Sequence, residues 1–81
     1  MSHEIEIVVN GKQKTVEEKE LTFEEVVKLA YPDANLTDDT KLYTVTFKRA
    51  NGHKPEGELL KGETLKIKKE TVINVVGTIR S

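Results

Sequence analysis

The chain has 81 residues, 36% hydrophobic and 33% charged, a size that holds one hydrophobic core and no independent second one. With 13 basic and 14 acidic residues its formal net charge is −1, which lacks the basic excess that a dedicated nucleic-acid binder uses to displace counterions. No apolar run approaches the roughly 20 residues of a bilayer span, and the absence of cysteine excludes a disulfide framework, a thiolate zinc site and a cysteine nucleophile.

The N-terminus, Met1-Ser2-His3-Glu4, has no charged-then-apolar signal pattern, so the expectation is a cytoplasmic protein without membrane or nucleic-acid partners. Ile5-Glu6-Ile7-Val8-Val9 is β-branched, with Ile5, Ile7 and Val9 on one face of a strand. Asn10-Gly11 suits a two-residue type I′ turn because both residues tolerate positive φ. Lys12 to Val16 returns antiparallel, with Val16 toward the core. Thr22-Phe23-Glu24-Glu25 reads as a capping box, and the helix it opens is predicted to run from Phe23 to Ala30. Val26, Val27, Leu29 and Ala30 supply its buried face with Phe23. Pro32 disfavours helical geometry at Tyr31 and ends it, and the acidic start and Lys28 near the end match the macrodipole.

Pro32 to Lys41 is a polar stretch of turn formers. From Leu42 to Arg49, Tyr43, Val45 and Phe47 alternate with Thr44, Thr46 and Lys48, which predicts a strand. After a loop from Ala50 to Gly57, Leu59 and Leu60 are expected as core plugs before the Lys61-Gly62 turn. Leu65-Lys66-Ile67 is a short strand, and Val72 to Val76 is the last. In that strand Asn74 is costly to bury without a partner, so Ile73 and Val75 are placed inward and Val72, Asn74 and Val76 outward. The predicted order is β-β-α-β-β-β. Two hairpins that leave the first and last strands free to pair in the middle, with one helix across one face, form a two-layer α+β packing. This is the ubiquitin-like β-grasp arrangement with a mixed sheet, expected over residues 1–76 and followed by a short tail over 77–81.

Val9-Asn10-Gly11-Lys12, Glu20-Leu21-Thr22-Phe23-Glu24 and Tyr43-Thr44-Val45-Thr46-Phe47 resemble the bacterial multiubiquitin domain. So do Lys54-Pro55-Glu56-Gly57-Glu58-Leu59, Lys61-Gly62-Glu63 and the closing Asn74-Val75 with Thr78-Ile79-Arg80-Ser81. The resemblance covers nearly the whole chain through many weak matches. It implies a ubiquitin-like modifier whose C-terminal carboxylate, or a peptide bond after it in a longer precursor, is handled by partners that look like activating enzymes, conjugating enzymes and peptidases. Members often occur as head-to-tail repeats, whereas this chain holds one copy. It departs from ubiquitin in lacking a Gly-Gly end.

In such a modifier the reactive group is the terminal carboxylate, which a partner activates as an acyl adenylate and passes to a nucleophile. The expected conjugation tail is Gly77, Thr78, Ile79, Arg80 and Ser81, five residues that reach at most about 16 Å at roughly 3.3 Å each. Gly77 alone offers the slim backbone suited to threading a cleft, and Arg80 is a candidate handle for an acidic groove. The same tail can also be read as a frayed terminus. The sheet face away from the helix is the expected partner-binding surface, with Val8 and Val76 as its apolar candidates. Two other functions share this fold. One is a non-covalent protein-interaction module; the other is a sulfur-carrier-like acyl donor, against which the missing Gly-Gly weighs.

Other candidates read more simply. His3 and His53 lack partners at ligand spacing, so no metal is expected. Asp33, Asn35 and Thr37 imitate the first ligand positions of a calcium loop, but Asp38 stands where glycine is needed and Thr44 where glutamate is needed. The serine and threonine hydroxyls have no base placed to activate them, and the glycines are dispersed rather than gathered in a phosphate loop. Neither catalysis nor a cofactor is expected. Lys61, Lys66, Lys68 and Lys69 suit a solvated edge that resists strand addition, a patch for an acidic partner, or an acceptor site for chain building.

Overall fold

A computed structural model describes residues 4–35, 41–52 and 54–79. Its elements are β1 (Ile5–Val9), β2 (Lys12–Val16), β3 (Glu20–Thr22), α1 (Phe23–Ala30), β4 (Lys41–Lys48), β5 (Gly57–Leu59), β6 (Thr64–Lys66) and β7 (Val72–Ile79). Five strands form one sheet in the order β2-β1-β7-β4-β5, and β3 pairs with β6 in a separate ribbon. Strand β7 lies in the middle, parallel to β1 and antiparallel to β4, and α1 covers one face. The ubiquitin-like β-grasp arrangement expected from the element order is the one observed.

Local chemistry sets these elements. Asn10 (φ 52°) and Gly11 (φ 78°) make the turn between β1 and β2, as the type I′ geometry requires. The Thr22 hydroxyl accepts from the Glu25 amide at 3.2 Å, and the Glu25 carboxylate accepts from the Thr22 amide at 2.9 Å. Both halves of the capping box are therefore present, and α1 begins and ends at the residues predicted for it.

The inner face of the sheet supplies Ile7, Val9, Val45, Phe47, Ile73 and Val75 to the core, and α1 supplies Phe23, Val26 and Val27. Ile5, Val16, Leu29, Ala30 and Tyr43 pack half-buried at its edge. The phase chosen for the last strand is the one observed: Ile73 and Val75 face the core while Asn74 and Val76 are exposed. Leu21 and Leu65, opposite each other in the β3–β6 ribbon, close the side of the core with Ile67.

Three expectations need correction. Leu60 is not a core plug: it is 54% exposed, because the strand alternation that buries Leu59 turns its successor outward. Glu20–Thr22 is a strand as well as a helix entry, and Gly57–Leu59, read as a loop end and a core plug, is a strand paired with β4; together they raise the strand count from the five expected to seven among the described residues. The last strand does not stop at Val76 but continues to Ile79, paired with Lys41–Tyr43 of β4, so Gly77, Thr78 and Ile79 belong to the sheet. The expected calcium-like positions at 37 and 38, with His3, His53, Arg80 and Ser81, lie outside the described residues. Among the described residues no helix is long and apolar enough to cross a membrane.

Candidate functional site

Of the residues expected to carry function, Val76, Gly77 and Thr78, with the backbone of Ile79, lie at the end of the sheet where β4 begins and β7 ends. Lys41–Tyr43 and Gly77–Ile79 form a two-stranded extension there. It projects past β5, which pairs only with Val45–Phe47, and past β1, which pairs with Val72 and Ile73.

Gly77 has a structural reason for lacking a side chain. It stands opposite Tyr43, and a methyl group added to it would lie 3.2 Å from Tyr43 Cε1. The tyrosine ring thus covers the glycine backbone, a cross-strand arrangement in which an aromatic ring shields a residue that has no side chain to pack. Tyr31 tilts against Tyr43 with ring centroids 5.9 Å apart. Its hydroxyl donates to the Val75 carbonyl at 3.2 Å. Between the C-terminal end of α1 and this extension lies a shallow hollow of about 400 Å³, lined by Tyr31, Pro32, Tyr43, Gly77 and Thr78 together with Asp33 and Lys41.

Asn10 fixes the neighbouring edge. Its backbone amide donates to the Ile73 carbonyl at 2.9 Å. One rung further on, its side-chain amide takes over the ladder: Nδ2 donates to the Val75 carbonyl at 3.1 Å and Oδ1 accepts from the Val75 amide at 2.7 Å. Odd-numbered residues of β7 therefore turn their backbone groups toward β1, and even-numbered ones turn theirs toward β4.

On the opposite face of the sheet, Val76 (56% exposed) and Leu42 (45%) are neighbours, since Thr44 pairs with Val76 and Leu42 with Thr78. Leu60, the residue after the Val45–Leu59 pair, is exposed and lines a shallow depression with Leu42. The exposed apolar residues at this end of the sheet are thus Leu42, Leu60 and Val76. Val8 is half-buried, hemmed in by Val72 of β7 and Gln13 of β2. Of the two residues expected to form this surface, Val76 is one of these and Val8 sits two strands from Leu42. Leu42 was legible, since it alternates with the inward Tyr43, but it reads simply as a strand start. Leu60 was obscured by its twin Leu59.

Of the expected tail, Gly77 and Thr78 are placed in β7 with the backbone of Ile79. Lys61, Lys66, Lys68 and Lys69 are all exposed, and Lys66 pairs across β3–β6 with Glu20. Among the described residues no group of three His, Asp or Glu side chains is placed to hold a metal ion.

One pair of acids is perturbed. Glu25 is held below the usual carboxylate range, first because the Thr22 backbone amide donates to it. Glu18 is pushed up, first by its hydrogen bond to Glu25 and then by the Glu25 charge. These carboxyls serve the entry to α1, away from the Gly77 end.

Comparison with curated proteins and with solved structures gave no match. A family model described as multiubiquitin matches residues 5–79. That span runs from the first residue of β1 to the last of β7, and on it the chain belongs to the multiubiquitin family.

Proposed function

We propose that this domain is a bacterial, cytoplasmic ubiquitin-like protein modifier without catalysis of its own, handled through its C-terminal end by activating-enzyme-like, conjugating-enzyme-like and peptidase partners. The observation that carries the reading is family membership across the entire fold. An activating partner converts the terminal carboxylate and ATP to an acyl adenylate and pyrophosphate. The acyl group then passes to a thiol or amine with release of AMP. Threading the tail into such a site requires Gly77, Thr78 and Ile79 to peel from β4, which frees the segment from Gly77 onward.

The test is intact mass spectrometry of N-terminally tagged domain recovered under denaturing conditions from cells that co-express its partner enzymes. Two shortened forms run beside it, one lacking residues 80–81 and one lacking 77–81, each checked for folding by circular dichroism. Adducts on the full chain and none on the folded shortened forms are expected. Clean unmodified masses throughout, with active partner enzymes, remove the modifier reading.

A second reading has its own support. The exposed Leu42, Leu60 and Val76 at one end of the sheet suit a non-covalent interaction module. On that reading partner binding survives loss of the tail and is weakened by Val76→Asp.

A further inference from the structure

We propose that the β1-facing edge of β7 at Gly77 and Ile79 is a docking site for an extended peptide segment of another protein, which adds to the sheet where β1 leaves it. The β1–β7 ladder is an established interface that stops short. The Val8 amide donates to the Thr71 carbonyl, the Asn10 amide donates to the Ile73 carbonyl, and the Asn10 side chain satisfies both backbone groups of Val75. The turn at Asn10-Gly11 then carries the chain away into β2, while β7 goes on for four more residues.

By the alternation already fixed at Ile73 and Val75, the amide and carbonyl of Gly77, then of Ile79, point to the side that β1 has vacated. Their ladder to β4 does not use them, and among the described residues no strand lies opposite them. What is open is a row of backbone donors and acceptors at strand spacing. The occupant that matches it rung for rung is another extended backbone.

The surroundings specify more. The hollow lined by Tyr31, Pro32, Tyr43, Gly77 and Thr78 runs beside the open rungs. Tyr31 marks its start, with its hydroxyl on the Val75 carbonyl. Gly77 presents no side chain on the helix side of the sheet. An added strand that pairs with Gly77 therefore turns the side chain opposite Gly77 toward the tyrosines, and an aliphatic or aromatic residue is the one that fits there. The site is distinct from the exposed Leu42 and Val76 on the other face, and it keeps β7 in its ladder with β4, so it does not depend on conjugation.

The experiment titrates the ¹⁵N-labelled domain with capped heptapeptides that alternate valine and threonine, carry lysine at both ends, and vary the central residue among leucine, phenylalanine and tyrosine. Amide shifts centred on Gly77 and Ile79 are expected, with exchange of the Gly77 amide slowed about tenfold at saturation. A matched peptide methylated on its central backbone nitrogen is expected to bind about fivefold more weakly, the loss of one net hydrogen bond. The Ile79→Pro variant removes a donor from the open side only and is expected to weaken binding by a similar factor. Thermal melts confirm that the variant is folded. Four outcomes overturn the proposal: a Gly77 amide already protected in the free domain, protection that vanishes on dilution because a second copy fills the edge, shifts centred instead on Leu42 and Val76, or equal binding of the methylated peptide.

Discussion

Thr71 is the one fully buried polar side chain among the described residues. Its hydroxyl donates to the Arg49 carbonyl at 2.9 Å and accepts from the Lys68 amide at 3.0 Å. Its own carbonyl accepts from Val8, so the residue ties the end of β4, the turn before β7 and β1 into one knot. Thr71→Val keeps the shape and leaves two partly buried backbone groups, the Arg49 carbonyl and the Lys68 amide, without this partner. A loss of about 1 kcal/mol is expected in urea unfolding, the low end of the range for a group left without its partner. Asn10 combines a positive φ with two side-chain bonds to Val75, and a pair of substitutions separates the contributions. Asn10→Gly keeps the backbone conformation and loses the bonds, at an expected cost of about 1–2 kcal/mol. Asn10→Ala adds about 1 kcal/mol of left-handed strain. Equal unfolding midpoints for the two variants would show that the turn conformation carries no part of the preference for asparagine.

At the scale of elements, α1 was legible to the residue because its limits are local: Thr22 and Glu25 write the start and Pro32 the stop. β3 was not, because three residues carry too little alternation to mark a strand and its partner lies more than forty positions away at Thr64–Lys66. The end of β7 was misread for a chemical reason. Glycine signals a loose tail when taken alone, and only the facing Tyr43 gives it a place in a sheet. The helix entry also sets a pH dependence. Glu18 has a folded pKa raised above its unfolded value, chiefly through Glu25, so its ionised form is disfavoured in the native state. Above the raised pKa this group subtracts from stability, and the penalty fades as pH falls through that pKa toward the unfolded carboxylate value. Glu18→Gln removes the repulsion and keeps a donor for Glu25. Its melting temperature is expected to exceed that of the parent at pH 7, with the gap closing as pH falls below the carboxylate range. A gap that persists unchanged into acid would assign the gain to something other than the charge.

The whole molecule is graded from a tied base to a bare rim. At the base, β7 is flanked by β1 and β4, covered by α1 on one face and anchored by Thr71. At the rim, among the described residues, it keeps only β4, over Lys41–Tyr43 opposite Gly77–Ile79, with Tyr31 and Tyr43 in contact beside it. Stability in a domain is drawn down locally where buried apolar contacts are few, so this gradient fixes which end of β7 opens first. The handling proposed for the tail needs the rim to open while the core stays folded. Native-state hydrogen exchange reads the gradient directly through the even-numbered amides, which all donate to β4. Asn74 is expected to exchange only by global unfolding, with a strong dependence on urea. Thr78 is expected to exchange by local opening, at least about a hundredfold faster and with little urea dependence, while Val76 falls between them. If Thr78 instead matched Asn74 in rate and urea dependence, the strand would open only as a unit with the core. A partner enzyme would then have to unfold the domain to reach Gly77, and handling of the segment from Gly77 onward would no longer be compatible with this fold.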